Sequence, residues 1–97
     1  MLLRSSGIDR YNMIWFDLET TGFNPFKNEI IEIAALNNKS ETYESFSKPE
    51  KRITPFITKI TNITNDMVEE APDEKTVISQ FIDFIKGDDN DKRTTYI

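Results

Sequence analysis

Four consecutive apolar residues, Met13-Ile14-Trp15-Phe16, open the first patterned stretch of the chain and lead into Asp17-Leu18-Glu19. A run that is apolar on both alternations predicts a central strand covered on both faces. Thr20-Thr21-Gly22-Phe23-Asn24-Pro25 is turn chemistry that ends this strand, with Gly22 read as its residue of positive φ. The next run, Glu29-Ile30-Ile31-Glu32-Ile33-Ala34-Ala35-Leu36, is rich in β-branched residues and predicts a second strand. Asn37-Asn38-Lys39 reads as a tight turn, and Glu41 to Ser47, with Tyr43 and Phe46 as its apolar residues, as a third strand. Connections this short imply antiparallel neighbours, so the first half of the chain is a three-stranded meander.

The second half changes period. Thr54-Pro55 fits an N-cap followed by proline at the first helical position, opening a short helix to about Ile60. Thr64 caps another, with Asp66 in its first turn, running to about Glu70. Pro72-Asp73 opens the strongest helix, in which Val77, Ile78, Phe81, Ile82 and Ile85 form one stripe that Gly87 ends. Residues 86–94 then read as a charged loop, and Thr95-Tyr96-Ile97 as the beginning of a further strand. A domain that stops there reads as truncated at its fourth strand. The first ten residues are polar and unpatterned, and read as a loose arm before a single domain over residues 11–97.

Composition narrows the chemistry. The 97 residues carry 17 Asp+Glu against 12 Lys+Arg, a net charge of −5, with 37% hydrophobic and 30% charged residues. No apolar run approaches the roughly 20 residues of a membrane span, and the Met1–Ser6 start is too short for a secretory signal. The expectation is a soluble intracellular protein, cytoplasmic or nuclear, with no membrane partner. The chain has no Cys and no His. That removes disulfides, thiolate or imidazole metal sites, cysteine nucleophiles and a Ser-His triad. Carboxylates, hydroxyls, amines and backbone remain.

The informative feature is Asp17-Leu18-Glu19. On a strand, alternate side chains share a face, so these two carboxylates leave the same side from Cα positions roughly 6.5–7 Å apart. An Asp-X-Glu by itself is common among strand ends that merely face water. Here an aromatic strand precedes it, Thr-Thr-Gly follows it, and an apolar strand interrupted by Glu32 lies beyond. Two carboxylates so placed repel each other without a counter-charge, and a pair of Mg²⁺ or Mn²⁺ ions fits them, since hard cations prefer oxygen ligands. In a two-metal site, one ion lowers the pKa of an attacking water and both stabilise a phosphodiester in transit. Cations held this way reconcile an acidic chain with a polyanionic substrate. Thr20-Thr21-Gly22 would add small side chains and free N–H groups beside the carboxylates.

The stretch Ile14-Trp15-Phe16-Asp17-Leu18-Glu19-Thr20-Thr21-Gly22-Phe23, followed by Glu29-Ile30-Ile31-Glu32-Ile33-Ala34-Ala35, resembles the first motif of the DEDD 3′–5′ exonucleases. That family includes the proofreading subunit of bacterial DNA polymerase III. The likeness continues through Phe46-Ser47-Lys48-Pro49, Ile53, Ile60-Thr61-Asn62-Ile63-Thr64-Asn65-Asp66-Met67-Val68 and Ala71-Pro72, covering roughly Met13 to Ile85. It implies an α/β, ribonuclease H-like fold and a metal-dependent 3′–5′ exonuclease domain acting on nucleic acid. It implies that Asp17 and Glu19 are catalytic ligands of two Mg²⁺ or Mn²⁺ ions, expected only in a complete site. Thr20, Thr21, Gly22 and Phe23 would line the pocket for the 3′-terminal nucleotide, with Ile63 and Met67 flanking it. The partners implied are a DNA or RNA 3′ end, and a polymerase or a complementing C-terminal chain.

The departures matter as much. Asn62 stands where the family usually has glycine, which puts the adjacent turn in question. The family's second motif, an Asp in Asn-X-X-Phe-Asp, and its third, a His or Tyr with an Asp four or five residues on, are not found after Ile85. Asp88, Asp89 and Asp91 read as a solvated loop and do not replace them. The expectation is half of a metal site, with little or no activity in this chain alone. The competing reading is a non-catalytic remnant that associates with a partner chain or nucleic acid through an exposed sheet edge. Lys48, Lys51 and Arg52 around Pro49 read as a solvated loop before a nucleic-acid contact, and Trp15 as core before a stacking platform. Glu32 is left between a polar contact near the site and simple solvation.

Overall fold

The computed structural model describes residues 11–24, 26–87 and 93–96. The arm expected over residues 1–10, Pro25, residues 88–92 of the charged loop (with Asp88, Asp89 and Asp91) and Ile97 lie outside the described residues.

Strand β1 (Tyr11–Thr20) pairs antiparallel with β2 (Ile30–Asn37), which pairs antiparallel with β3 (Thr42–Phe46). Three helices follow: α1 (Pro55–Thr61), α2 (Asn65–Val68) and α3 (Glu74–Lys86). The chain then reaches β4 (Arg93–Tyr96), which lies parallel to β1 and gives the sheet order β3-β2-β1-β4. The meander, the helices and a fourth strand are as the pattern predicts, with β4 starting two residues earlier. The order follows from connection length: short turns join antiparallel neighbours, whereas a parallel partner needs a crossover, which the helical half provides.

Alternation in β2 decides which side is inside. Ile31, Ile33 and Ala35 are buried, while Glu32 and Ala34 between them are only half-buried. The buried side meets α3: Ile14, Ala35 and Ile85 form a cluster against which Phe16, Tyr43, Phe81 and Phe84 pack. Phe16 meets Phe81 edge-on at 5.8 Å between ring centroids, and the Tyr43 hydroxyl donates to Gln80 Oε1 at 2.9 Å. Ile82, predicted within the buried stripe, is 43% exposed, because the sheet meets α3 through the 77–81–84–85 face; Phe81, Phe84 and Ile85 form the helix–sheet core as the sequence suggests. A second cluster joins Ile31 to Ile53, Ile57, Ile63 and Val68, and so fixes the short helices to the end of β2. Each such isoleucine contributes on the order of 1.5–3 kcal/mol through burial.

The helix ends match their chemistry. Thr54 Oγ1 accepts from Ile57 N, Thr64 Oγ1 from Met67 N, and Asp73 Oδ1 from Thr76 N. Helix α2 stops at Val68, shorter than predicted, because Glu69 and Glu70 continue as a turn into Pro72. Asn62 is the C-cap of α1 in the left-handed region (φ 62°, ψ 15°), with its N–H donating to Thr58 O. The turn that glycine usually makes is therefore kept, since asparagine tolerates this conformation better than other side chains.

Candidate active site

The acidic pair sits where the β1–β2 ladder is irregular. Asp17 opposes Ala34 and Glu19 opposes Glu32, but Thr20 opposes Ile30, so Ile31 is an extra residue on β2. Such a bulge bends and twists the strand and re-aims the side chains beside it. Here it turns Ile31 into the α1–α2 cluster and leaves the Ile30 N–H to a partner outside the ladder, Glu74 Oε2 at 2.7 Å. The first residue of α3 thus braces the strand end that carries the acids.

Directly opposed residues of an antiparallel pair share a face, so Asp17, Glu19, Glu32, Ala34 and Glu44 stand on one side of the sheet. That side is opposite the α3 face, and it is half-buried at Asp17, Glu19 and Glu32. Asp17 Oδ1 itself is buried. Partial burial, then the charges of Glu19 and of Glu44, push the Glu32 carboxyl above its ordinary range. Glu32 therefore belongs to the acidic face. The two-residue period places it opposite to Ile31 and Ile33, but only the strand register puts it beside Glu19.

Trp15 is a correction of the same kind. It is half-buried on the acidic face, lining a shallow depression with Asp17, Ala34, Leu36, Thr42 and Glu44, and is not enclosed by the core. The prediction that β1 is covered on both faces is not met by the described residues, because the helices pack on the face opposite Trp15, Asp17 and Glu19; even on that helix-covered face, Leu18 is 38% exposed.

The turn after Glu19 is built by hydrogen bonds. Thr21 N donates to Glu29 O and Glu29 N to Thr21 Oγ1, each at 2.9 Å, so the Thr21 N–H predicted to be free closes the hairpin. The Thr20 hydroxyl donates to Gly22 O. Gly22 is not in the left-handed region, contrary to its predicted role; its need is steric, since a Cβ there would lie 2.7–2.9 Å from the Asn28 amide. Asn28 Oδ1 accepts from Asn24 N, and Asn24 Oδ1 from Phe26 N, which braces the loop that presents Phe23. Phe23 is 95% exposed.

On the other side, Ile63 is 3% exposed within the α1–α2 cluster. It therefore has little surface for a nucleotide, and its packing holds the Asn62 turn. Met67 is half exposed, with its Sδ accepting from Thr64 N at 3.4 Å. Next to this segment, Asn65 clamps Ile53 in both directions: Ile53 N donates to Asn65 Oδ1, and Asn65 Nδ2 to Ile53 O.

The donor set is carboxylate oxygen on a partly buried face where negative charges crowd, which fits a hard divalent cation. Among the described residues no group of three or more His, Cys, Asp or Glu is gathered to hold a metal. Asp17 and Glu19 would thus supply two side chains of such a site and not a full shell.

Comparison with known proteins agrees with this geometry. The family model RNase_T, described as Exonuclease, matches residues 14–93. The PolC-type DNA polymerase III of Caldanaerobacter subterraneus subsp. tengcongensis is 43% identical over 76 residues, which is 74% of this chain and 5% of that protein. The chain thus spans a small fraction of that relative's length. A crystal structure of a full-length 3′-exonuclease superposes with a TM-score of 0.69 at 25% identity, covering 99% of this chain and 37% of the other. Escherichia coli exonuclease I in complex with a 5cy-dT13 oligonucleotide gives 0.72 at 19% identity, covering 89% and 20%, a likeness of fold. Members of the DEDD exonuclease family generally use divalent metal ions. With the strand order, the acid-bearing strand and the family match all falling on the same residues, the chain belongs to the exonuclease family whose model runs from residue 14 to residue 93.

Proposed function

We propose that this chain carries one arm of a metal-dependent 3′–5′ exonuclease site that releases nucleoside monophosphates from DNA. The observation that carries the reading is the co-facial Asp17 and Glu19 at the bulged end of β1, beside the half-buried, raised Glu32. Bound there, Mg²⁺ or Mn²⁺ supplies a water of lowered pKa and neutralises charge on the scissile phosphate. Asp17 and Glu19 hold the cation. Glu32 adds negative potential behind Glu19 without a required contact. Thr20, Thr21 and Gly22 shape the wall beside the carboxylates, and the exposed Phe23 ring offers a face for the terminal base. Met67 borders the same segment, whereas Ile63 supports it from the core. DNA is the favoured substrate because the PolC-type relative is a DNA polymerase.

Hydrolysis at full rate needs more oxygen ligands than two carboxylates and a group to take the proton of the attacking water, and among the described residues no group of three or more acidic side chains is gathered to hold a metal. The test is Mn²⁺-dependent shortening of a 5′-labelled single strand. Slow loss from the 3′ end, abolished in Asp17→Ala and in Glu19→Ala, is expected. Shortening that persists in Asp17→Ala overturns the mechanism.

A further inference from the structure

The loop between β1 and β2 places two phenylalanines in water. Phe23 and Phe26 are each 95% exposed, although an isolated exposed ring is normally turned at least partly against its neighbours. The loop is also not slack: Asn24 and Asn28 hold it through the bonds described above, with Lys27 N and Asn28 N both donating to Asn24 O. Its far end is tied to the segment around Pro49. The Glu29 carboxylate accepts from Glu50 N at 2.7 Å and from Lys51 N at 3.3 Å, while Asn65 clamps Ile53 from the opposite side. Glu29 also closes the hairpin against Thr21, so the two loops are one braced unit beginning just past Glu19.

The exposed charge of this unit leans positive in an acidic chain, with Lys27, Lys51 and Arg52 against Glu50 and the half-buried Glu29. Lys27, Lys51 and Arg52 are exposed and, among the described residues, make no ion pair, whereas Lys48 is paired with Glu69 at 3.5 Å. Aromatic faces interleaved with unneutralised cations are the combination that binds single-stranded nucleic acid, through base stacking and phosphate attraction together. A polar protein surface would not need bare rings, and an apolar one would not need three free cations.

We infer that Phe26, with Lys51 and Arg52, forms a second contact for a single strand, one that holds nucleotides behind the terminal one. This deepens the exonuclease reading and rests on it. Phe26 stacks on a base, and the two cations meet phosphates; the acids at Asp17 and Glu19 are then left to the 3′ end.

The test is fluorescence anisotropy of a short labelled oligothymidylate, and of the same length made of abasic sugar-phosphate, in Ca²⁺ at several salt concentrations. Phe26→Ala weakens oligothymidylate binding by about tenfold. It leaves abasic binding unchanged, and Phe26→Trp restores affinity. Replacing both Lys51 and Arg52 by Ala lowers the salt slope for either oligomer by about 1.4. Phe26 is almost wholly exposed, so its variants keep the far-ultraviolet circular dichroism of the parent. Unchanged oligothymidylate affinity in Phe26→Ala overturns this inference alone. So does a change confined to self-association in light scattering, which would make the rings a protein-docking surface. No oligonucleotide binding by the unaltered chain overturns both the inference and the exonuclease reading.

Discussion

Asn62 is held at φ 62° at the end of α1, where a side chain with a Cβ clashes with its own carbonyl unless it is short and polar. Asn62→Ala is expected to cost about 1 kcal/mol in thermal or urea denaturation, and Asn62→Gly to stay within a few tenths. Equal stability of all three would show that the turn is not strained. Gly22 is constrained differently. A Cβ at this position would meet the Asn28 amide, so Gly22→Ala must push that amide off Asn24 N; the expected cost is about 1 kcal/mol for the lost hydrogen bond. Faster proteolysis within the 22–28 loop of Gly22→Ala is the accompanying sign. A parent-like melting curve and digestion pattern would contradict it. Glycine by itself signals freedom, and the positive φ read for Gly22 gives way to a steric need that only the opposing Asn28 side chain reveals. The Asp17–Glu19 pair, by contrast, is visible from spacing alone, because the period of a strand is two whatever surrounds it.

Among the elements, caps and turns were legible because their causes are local. Thr54, Thr64 and Asp73 each act within three residues of themselves. Asp73 supports a prediction on pH. The Thr76 hydroxyl and then the Thr76 N–H, both bonded to its carboxylate, hold Asp73 below its ordinary value of 3.8. A lowered folded-state pKa means that the charged form is the favoured partner in the native state. Its contribution is therefore present above the unfolded value and lost as pH falls through the folded one. Asp73→Ala should melt below the parent at neutral pH, with the gap closing as the solution becomes strongly acidic; a gap independent of pH would contradict the ionised cap. What was not legible at this scale depends on contacts between elements. The Ile31 bulge, the Glu74 brace on Ile30 and the exposure of Ile82 follow from register and from which face of α3 meets the sheet.

At the scale of the molecule, one sheet face is closed by α3 and the short helices, and the other collects Asp17, Glu19, Glu32 and Glu44 on the side that also carries Trp15. A chain of net charge −5 that concentrates carboxylates on one face gains from a cation there, and that gain should also appear as stability, since a ligand bound only by the folded state raises its melting temperature. The antiparallel meander and the likeness to the exonucleases were readable in the turns and motifs, whereas the parallel place of β4 beside β1 and the joining of Glu32 and Glu44 to the acidic face required the strands in register. The central claim is that Asp17 and Glu19 share a divalent ion. Isothermal titration of the chain with Mn²⁺ tests it most directly. Saturable heat, lost when both residues are replaced by alanine in a variant that keeps its circular dichroism, is predicted; no heat from the parent, or the same heat from the variant, would contradict the account.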